Sequence, residues 1–465
     1  MLTIGQWSGP SQPTVSLSNL TITGGLTTTI PPSEAFMAVA GLQAFGGGIQ
    51  IPYSSGYGPG ATVTIANSVV SGNTAASTAT YAPAEFQDFP GWPACPGPVP
   101  CEYSGSSGGG IASWGTLTLV NTTVSGNQAA GVASDADGGG VAAMAGSLTL
   151  TNSTVTHNAA SAVQPNGRFA EGGGIFMGDG TTLTIANSSV SVNATLLKSV
   201  FPYFVGDGQT LDMNSNSGGI HLSDGLTATI DNSHIDLNSV TVDDPDGEPI
   251  SFGSGICSCT DDQVSATLTL RNSTVSGNTL DVTVASQADV FPGSGSALEL
   301  DSPGTVLNSQ VLGNSSTVRA GSGDAIVSPG GVSVADASTP ATIANSVIAS
   351  NAATAIAPHG QAVVLGAGLV NQGPLLLQND LITLNKGTVH GQTELAQGGG
   401  IYNGSTWSPG GPITLQNTSV IGNVLAGDVS ATLQGAGLYT VGFPATLTHS
   451  LVAHNSPDQC VGASC

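Results

Sequence analysis

The chain has 465 residues, with 29 Asp plus Glu against 5 Lys plus Arg and a formal net charge of −24. That balance excludes nucleic acid as a partner, because nucleic acid demands a basic footprint. It also disfavours anionic lipid surfaces and polyanionic glycans such as pectate, unless a cation bridges them.

Residues 1–40 read as a degenerate first coil or cap, in which Leu17, Leu20 and Ile22 follow the later pattern and Asn19 to Gly25 mimics its asparagine spacing. From Gly46-Gly47-Gly48-Ile49 the unit is regular, and the stretch Gly138 to Asn158, GGGVAAMAGSLTLTNSTVTHN, holds every piece of it. A glycine run ending in an aliphatic is followed by Thr alternating with aliphatics, then by Asn-Ser-x-Val-x-x-Asn. Aligned on the first Asn, eleven copies stand at Asn67, Asn121, Asn152, Asn187, Asn232, Asn272, Asn308, Asn345, Asn379, Asn417 and, with a substitution, His449. The second Asn follows six residues later in all eleven, from Asn73 to Asn455. Three residues before the first Asn, Thr stands in ten of eleven copies, Leu376 being the exception.

Apolar residues two apart with Thr between them make a strand with one buried face. Helical repeats are excluded by the Gly, Thr, Ser, Asn and Val that fill the units. A propeller would show an aromatic or Trp-Asp signature in each unit, and none is present. The expected fold is therefore all-β: a single-stranded right-handed parallel β-helix of about eleven to twelve coils, with three short strands per coil. One continuous domain spans 1–465, with the eleven repeats over 41–455 and a disulfide-closed tail over 456–465. Coils about 4.8 Å apart give a rod of roughly 55 Å. Asn at one bend in successive coils would stack and satisfy bend backbone that is otherwise buried without a partner.

Gly-Gly-x-Ile paired with aliphatic-x-x-Asn resembles the GGAI and FxxN repeats of chlamydial polymorphic outer membrane proteins. More broadly it resembles the bacterial β-helix proteins of pectate-lyase-like fold, over about residues 41 to 455, with Val or Ile where that family has Phe. The resemblance implies the fold and two function classes: adhesins or autotransporter passengers, and polysaccharide lyases or glycoside hydrolases. Lyases of this kind take an Arg or Lys as base beside calcium-binding carboxylates. Of Arg168, Lys198, Arg271, Arg319 and Lys386, only Arg271 has aligned carboxylate neighbours. The Asn-Thr-Asp and Arg-Ile-Lys motifs of polygalacturonase-like hydrolases are absent, and the His-Gly pairs at His359 and His390 stand without them.

The longest insertion, 74–107, carries Tyr81, Phe86, Phe89, Trp92 and Tyr103; a second, after Asn193, carries Phe201, Tyr203 and Phe204. These aromatics would stack on sugar rings, or else cover the rod with small apolar clusters. Asp243, Asp244, Asp246 and Glu248 offer oxygens for calcium, the one cofactor the sequence suggests, although their spacing is not that of an EF-hand. The insertions fall between the Val-x-x-Asn strand and the next glycine run, so they project from one edge. Coil 5 breaks its own repeat with His221, Asp224, Asp231, His234 and Asp236, and Arg271 of coil 6 occupies the repeat position of Asp231. We take His221, Asp231, His234, Asp236 and Arg271 as the catalytic or metal-holding set, against an exposed polar patch with a surface ion pair. Coils 7 to 11 carry Pro303, Pro340, Pro374, Pro412 and Pro444 five residues before the first Asn, which predicts a shorter threonine strand there. The Thr-x-Thr of coils 1 to 6 resembles ice-binding faces; the alternative is β-branched residues on a solvated strand.

The six cysteines pair by proximity as Cys95 with Cys101, Cys257 with Cys259 and Cys460 with Cys465, which implies an oxidising compartment. The middle pair closes only if the strand ends at Ile256. No eighteen-residue apolar run occurs, and MLTIGQWSGPS lacks the features of a signal peptide, which suggests a fragment without export signal or anchor. The expectation is an extracellular or bacterial cell-surface β-helix of structural or adhesin type. Its partner would be a surface receptor or a neutral glycan, with no nucleic acid and no direct membrane insertion. The alternative is a carbohydrate-active enzyme centred near coil 5.

Overall fold

The computed structural model describes residues 1–5, 12–28, 43–52, 60–78, 105–132, 134–163, 169–198, 213–244, 249–258, 266–285, 295–300, 304–334, 340–404, 410–463 and 465. They form a right-handed parallel β-helix, with no helix among the described residues. The threonine strands build one 12-stranded sheet, the Val-x-x-Asn strands a second, and the glycine-run strands a 13-stranded third. All are parallel and in the register of the repeat: Thr118 lies over Thr64, Val124 over Val70 and Ile111 over Ile49. Residues 14–28 complete a further coil ahead of coil 1, Thr14 pairing with Thr62 and Leu26 with Thr74.

The coil also carries strands that the repeat did not announce. A fourth sheet starts directly after the second Asn, so Thr74–Thr78, expected as insertion, is strand. A fifth, six-stranded sheet precedes the glycine run from Gln43–Phe45 to Pro249–Phe252. Further on, the two segments fuse into the long strands Ala352–Leu365 and Lys386–Gln397.

Alternation dictates the packing. In Thr116–Val120 the two leucines are fully buried and the two threonines that alternate with them are not. Each such aliphatic contributes about 1.5–3 kcal/mol by leaving water. The threonine strand spans five residues in coil 2 but only Thr305–Leu307 in coil 7 and Ile413–Gln416 in coil 10. Proline stands just upstream in those later coils and has no N–H for the ladder.

The two asparagine columns do different work. The first Asn of every copy, and His449, sits at a left-handed corner with φ between 46° and 57°. Asn tolerates this conformation better than other side-chain-bearing residues. These side chains do stack, Asn121 Nδ2 donating to Asn67 Oδ1 and Asn379 Nδ2 to Asn345 Oδ1, each at 3.1 Å, but they are solvent-exposed, so this column is a corner device and not a buried ladder. The second column is buried from Asn73 to Asn455. From Asn127 onward each Oδ1 accepts both the backbone N–H and the Nδ2–H of the Asn one coil earlier, at 2.9–3.1 Å throughout, while Asn73 Oδ1 accepts the Gly25 N–H. The second Nδ2–H goes to a strand carbonyl, as from Asn127 to Val70 O at 3.0 Å. After Asn455 the side chain of Gln459 supplies the acceptor that a following Asn would have given.

A third column follows the first Asn: Ser153, Ser188, Ser233, Ser273 and their equivalents accept the N–H of the preceding coil's residue. Asp380 occupies this place in coil 9. It is 4% exposed, and burial pushes its carboxyl up to about 7, although the Ser346 and Gln378 N–H groups it accepts pull the other way.

The residue before the second Asn is also left-handed. Gly72, Gly126, Gly277, Gly313 and Gly422 fill that corner in five coils, but Val192 does so with φ 57° and a side chain 40% exposed. A β-branched residue in this region is strained by roughly 1–3 kcal/mol. Val192→Gly is expected to stabilise the protein by about 1 kcal/mol after the entropic cost of glycine. Urea unfolding checks this; a lower midpoint would show that contacts of the isopropyl group outweigh the strain.

Candidate functional site

Before most of the glycine runs the backbone bends sharply through a left-handed residue, which is glycine in most coils and Ser217, with φ 53°, in coil 5. Gly138 and Gly172 have φ 63° and 58°, and an added Cβ would lie 2.5 Å from Val141 O and 2.3 Å from Ile175 O. The bend brings the residue before the run towards the middle residue of the strand after it, making an external furrow along the rod. Near coil 10 the furrow is apolar, filled by Leu365, Val370 and Tyr402, with Tyr402 stacked on Tyr439 at 5.5 Å. In coils 3 to 6 it is polar.

Asp137, Glu171 and Asn216 lie side by side in register on one wall. Phe176, His221 and Cys257 do so on the other. Ser107 Oγ donates to Asp137 Oδ2 at 3.2 Å, and Asn216 Nδ2 donates to Glu171 Oε1 at 3.0 Å. Glu171 Oε2 lies 3.7 Å from His221 Nε2, and the imidazole stacks on Phe176 with ring centroids 5.1 Å apart. Burial, then the charges of Glu171 and Asp135, push the Asp137 carboxyl well above the usual carboxylate range. Two acidic side chains, one of them with its proton affinity raised, therefore lie close to an imidazole, a set of the type that can hold and pass a proton. Access is narrow: the His221 side chain is 5% exposed and that of Glu171 14%. One coil further, Cys257 Sγ lies 3.1 Å from Glu299 Oε2.

No family model, curated protein or solved structure matches the chain.

The five catalytic candidates do not converge. His221 lies on the glycine-run strand Ile220–Leu222, Asp231 ends the threonine strand Thr227–Asp231, and His234 and Asp236 lie on the third strand, His234–Asp236. Asp231 Oδ1 is 3.3 Å from Arg271 Nε and accepts from Asn272 Nδ2 at 2.8 Å. Both partners of this ion pair are solvent-accessible, so it contributes 0 to about 1 kcal/mol. His234 Nδ1 is 2.8 Å from Thr274 Oγ1 and 3.8 Å from Asp236 Oδ2. Asp236 Oδ1 already accepts from Ser276 N, Ser276 Oγ and Thr274 Oγ1, a structural cap on the next strand. Of the calcium candidates, Asp243 pairs with Lys198 at 3.3 Å and Asp244 is 1% exposed. Asp246 and Glu248 lie outside the described residues, as do Tyr81, Phe86, Phe89, Trp92, Tyr103, Phe201, Tyr203, Phe204, Cys95, Cys101 and Cys259. Cys257 is disulfide-bonded, and Cys460 is bonded to Cys465.

Sequence reasoning missed Asp137 and Glu171, although a signal existed. Each stands immediately before a glycine run, a place filled by Phe45 and Ser107 in earlier coils. Along the threonine sheet, Thr64, Thr118, Thr149, Thr184, Thr229 and Thr269 form one unbroken column in register, none of them buried.

Proposed function

We propose that the protein is an extracellular or cell-surface display rod of adhesin type, whose insertions contact a surface receptor or a neutral glycan. One observation carries this reading. In coil 2 the strands Gln128–Val132 and Asp135–Asp137 are joined by residues 133–134 alone. In coil 1 the equivalent strands, Thr74–Thr78 and Gly105–Ser107, are joined by residues 79–104 and keep the same register, Thr78 on Val132 and Gly105 on Asp135. The aromatic-rich segment is thus added at a fixed point without any change in the scaffold beneath it, the arrangement of a binding loop on a rigid support. The disulfide-bonded Cys257, Cys460 and Cys465 support an oxidising exterior.

Replacing residues 79–104 with Ala-Ser, which restores the coil 2 connection, tests it. The melting temperature is expected to hold while binding on a glycan array or to host-cell surfaces falls by about tenfold or more. Unchanged binding would refute the assignment to this insertion. Reducing-sugar release that Glu171→Gln abolishes would favour the enzyme reading, with the furrow as its site. The threonine column supports a further reading, ice binding, which thermal hysteresis of the same preparation would favour.

A further inference from the structure

Where the chain leads into coils 10 and 11, three residues of metal-ligating type meet on the surface. His390 and Glu394 belong to the strand Lys386–Gln397, and Asp428 to the turn after Val424–Ala426. One ligand atom from each lies within 4.8 Å of the other two. We propose that His390, Glu394 and Asp428 bind a divalent transition-metal ion of the zinc class, which ties the two coils together at this corner.

The local backbone is shaped to bring these groups together. Residues four apart on an extended strand would stand about 13 Å apart. Here the strand turns a corner at Gly391, where its register on the neighbouring strand shifts between Ala357 and Gln361. Glu394 is the fixed member: it is 7% exposed, Oε1 accepts the Gly391 N–H at 3.0 Å, and Oε2 accepts the Asp428 N–H at 2.6 Å. Two backbone donors hold the carboxylate in place and leave each oxygen a further lone pair for a ligand bond. The turn over it depends on Gly427, because a Cβ there would meet Glu394 Oε2 at 2.7 Å.

Charge supplies an independent reason. No ion pair among the described residues reaches Glu394 or Asp428, so a buried carboxylate and its acidic neighbour share a corner with no Lys or Arg salt bridge. A bound cation provides the missing compensation. The donor set chooses the class of ion. Calcium and magnesium prefer shells of six or more oxygens, whereas one imidazole nitrogen with two carboxylates suits zinc and its neighbours. Tetrahedral ligand atoms at zinc distances stand roughly 3.3 Å apart. His390 and Asp428 are exposed and free to rotate inward by the remaining ångström or so. Three protein ligands leave one position for water.

The test uses the untagged full chain, stripped with EDTA and held in magnesium-containing buffer to suppress diffuse binding to so acidic a surface. Zinc titration by calorimetry is expected to show one equivalent bound, and cobalt to give the visible bands of a tetrahedral site. His390→Ala and Asp428→Asn should each weaken binding by about 10–100-fold or more. His157→Ala, at a distant exposed corner, should leave it unchanged. Zinc should also raise the melting temperature of the parent but not of His390→Ala. Absence of stoichiometric binding, an equal loss in His157→Ala, or displacement of zinc by equimolar calcium would each overturn the proposal. No receptor or glycan enters these assays, so their outcome is independent of the display function.

Discussion

Asn238→Ala is expected to destabilise the protein by roughly 3–9 kcal/mol, because three buried groups lose their bonds at once. Asn238 Oδ1 is the shared acceptor of Asn193 N and Asn193 Nδ2, both at 3.0 Å, and Asn238 Nδ2 donates to Val190 O at 3.0 Å. Alanine orphans two donors and one carbonyl, and each orphan costs about 1–3 kcal/mol. A buried amide column in a stacked-coil protein also couples each coil to its neighbour, so the loss is felt on both sides. Asn232→Gly is the control. Asn232 is exposed with φ 46°, and glycine adopts that corner without strain. Its change should stay within about 0.5 kcal/mol. Chemical denaturation of the two variants at one pH decides the matter; equal losses would refute the division of labour between the columns.

Asp380→Ser is expected to change how stability depends on pH. The Asp380 carboxyl is pushed up to about 7 in the folded protein, chiefly by burial. An unfolded aspartate titrates near about 3.9. A raised folded value means that the neutral acid favours the folded state. Its contribution is complete below about pH 4, declines as the pH rises, and is gone above about pH 7. The difference of about three units corresponds to at most about 4 kcal/mol. Serine keeps an acceptor for the Ser346 N–H, as serine does in most other coils, and carries no charge. The variant should match the parent near pH 4 and exceed it by up to a few kcal/mol near pH 8. Asp137 and the other carboxyl groups titrate in both proteins and cancel in the difference. Calorimetric melting from pH 4 to 8 provides the check, and parallel curves for the two proteins would sink the assignment.

The columns were legible because their chemistry leaves little choice of residue. A buried position that must accept two hydrogen bonds from above and give two away admits Asn and almost nothing else, so the six-residue spacing survives in every copy. The shorter threonine strands of the later coils were legible from Pro340, Pro374, Pro412 and Pro444, because a missing N–H has one consequence in a ladder. The fourth and fifth sheets were not. Their residues, such as Gln128–Val132 against Thr74–Thr78, share a pair of alanines but no invariant polar group. His221, Asp231, His234 and Asp236 were grouped because they are close in sequence. A coil changes direction at each corner, so within those few residues the chain passes over three different sheets. Glu171 and His221 belong to different coils and are far apart in sequence, yet the left-handed bends at Gly172 and Ser217 in successive coils seat them together. Asp380 was overlooked for the opposite reason. It stands in a column otherwise made of Ser and Thr, and only its depth in the structure distinguishes it from a tolerated polar replacement.

Gln459 alone brings the amide column to an end, and every interior coil offers the next what it received from the last. Such a scheme makes the coil a modular tile. Duplicating or excising one whole tile, such as the compact segment from Asn121 to Thr151, would leave the amide seam chemically identical, so reach can be tuned in discrete steps while the terminal fitting stays the same.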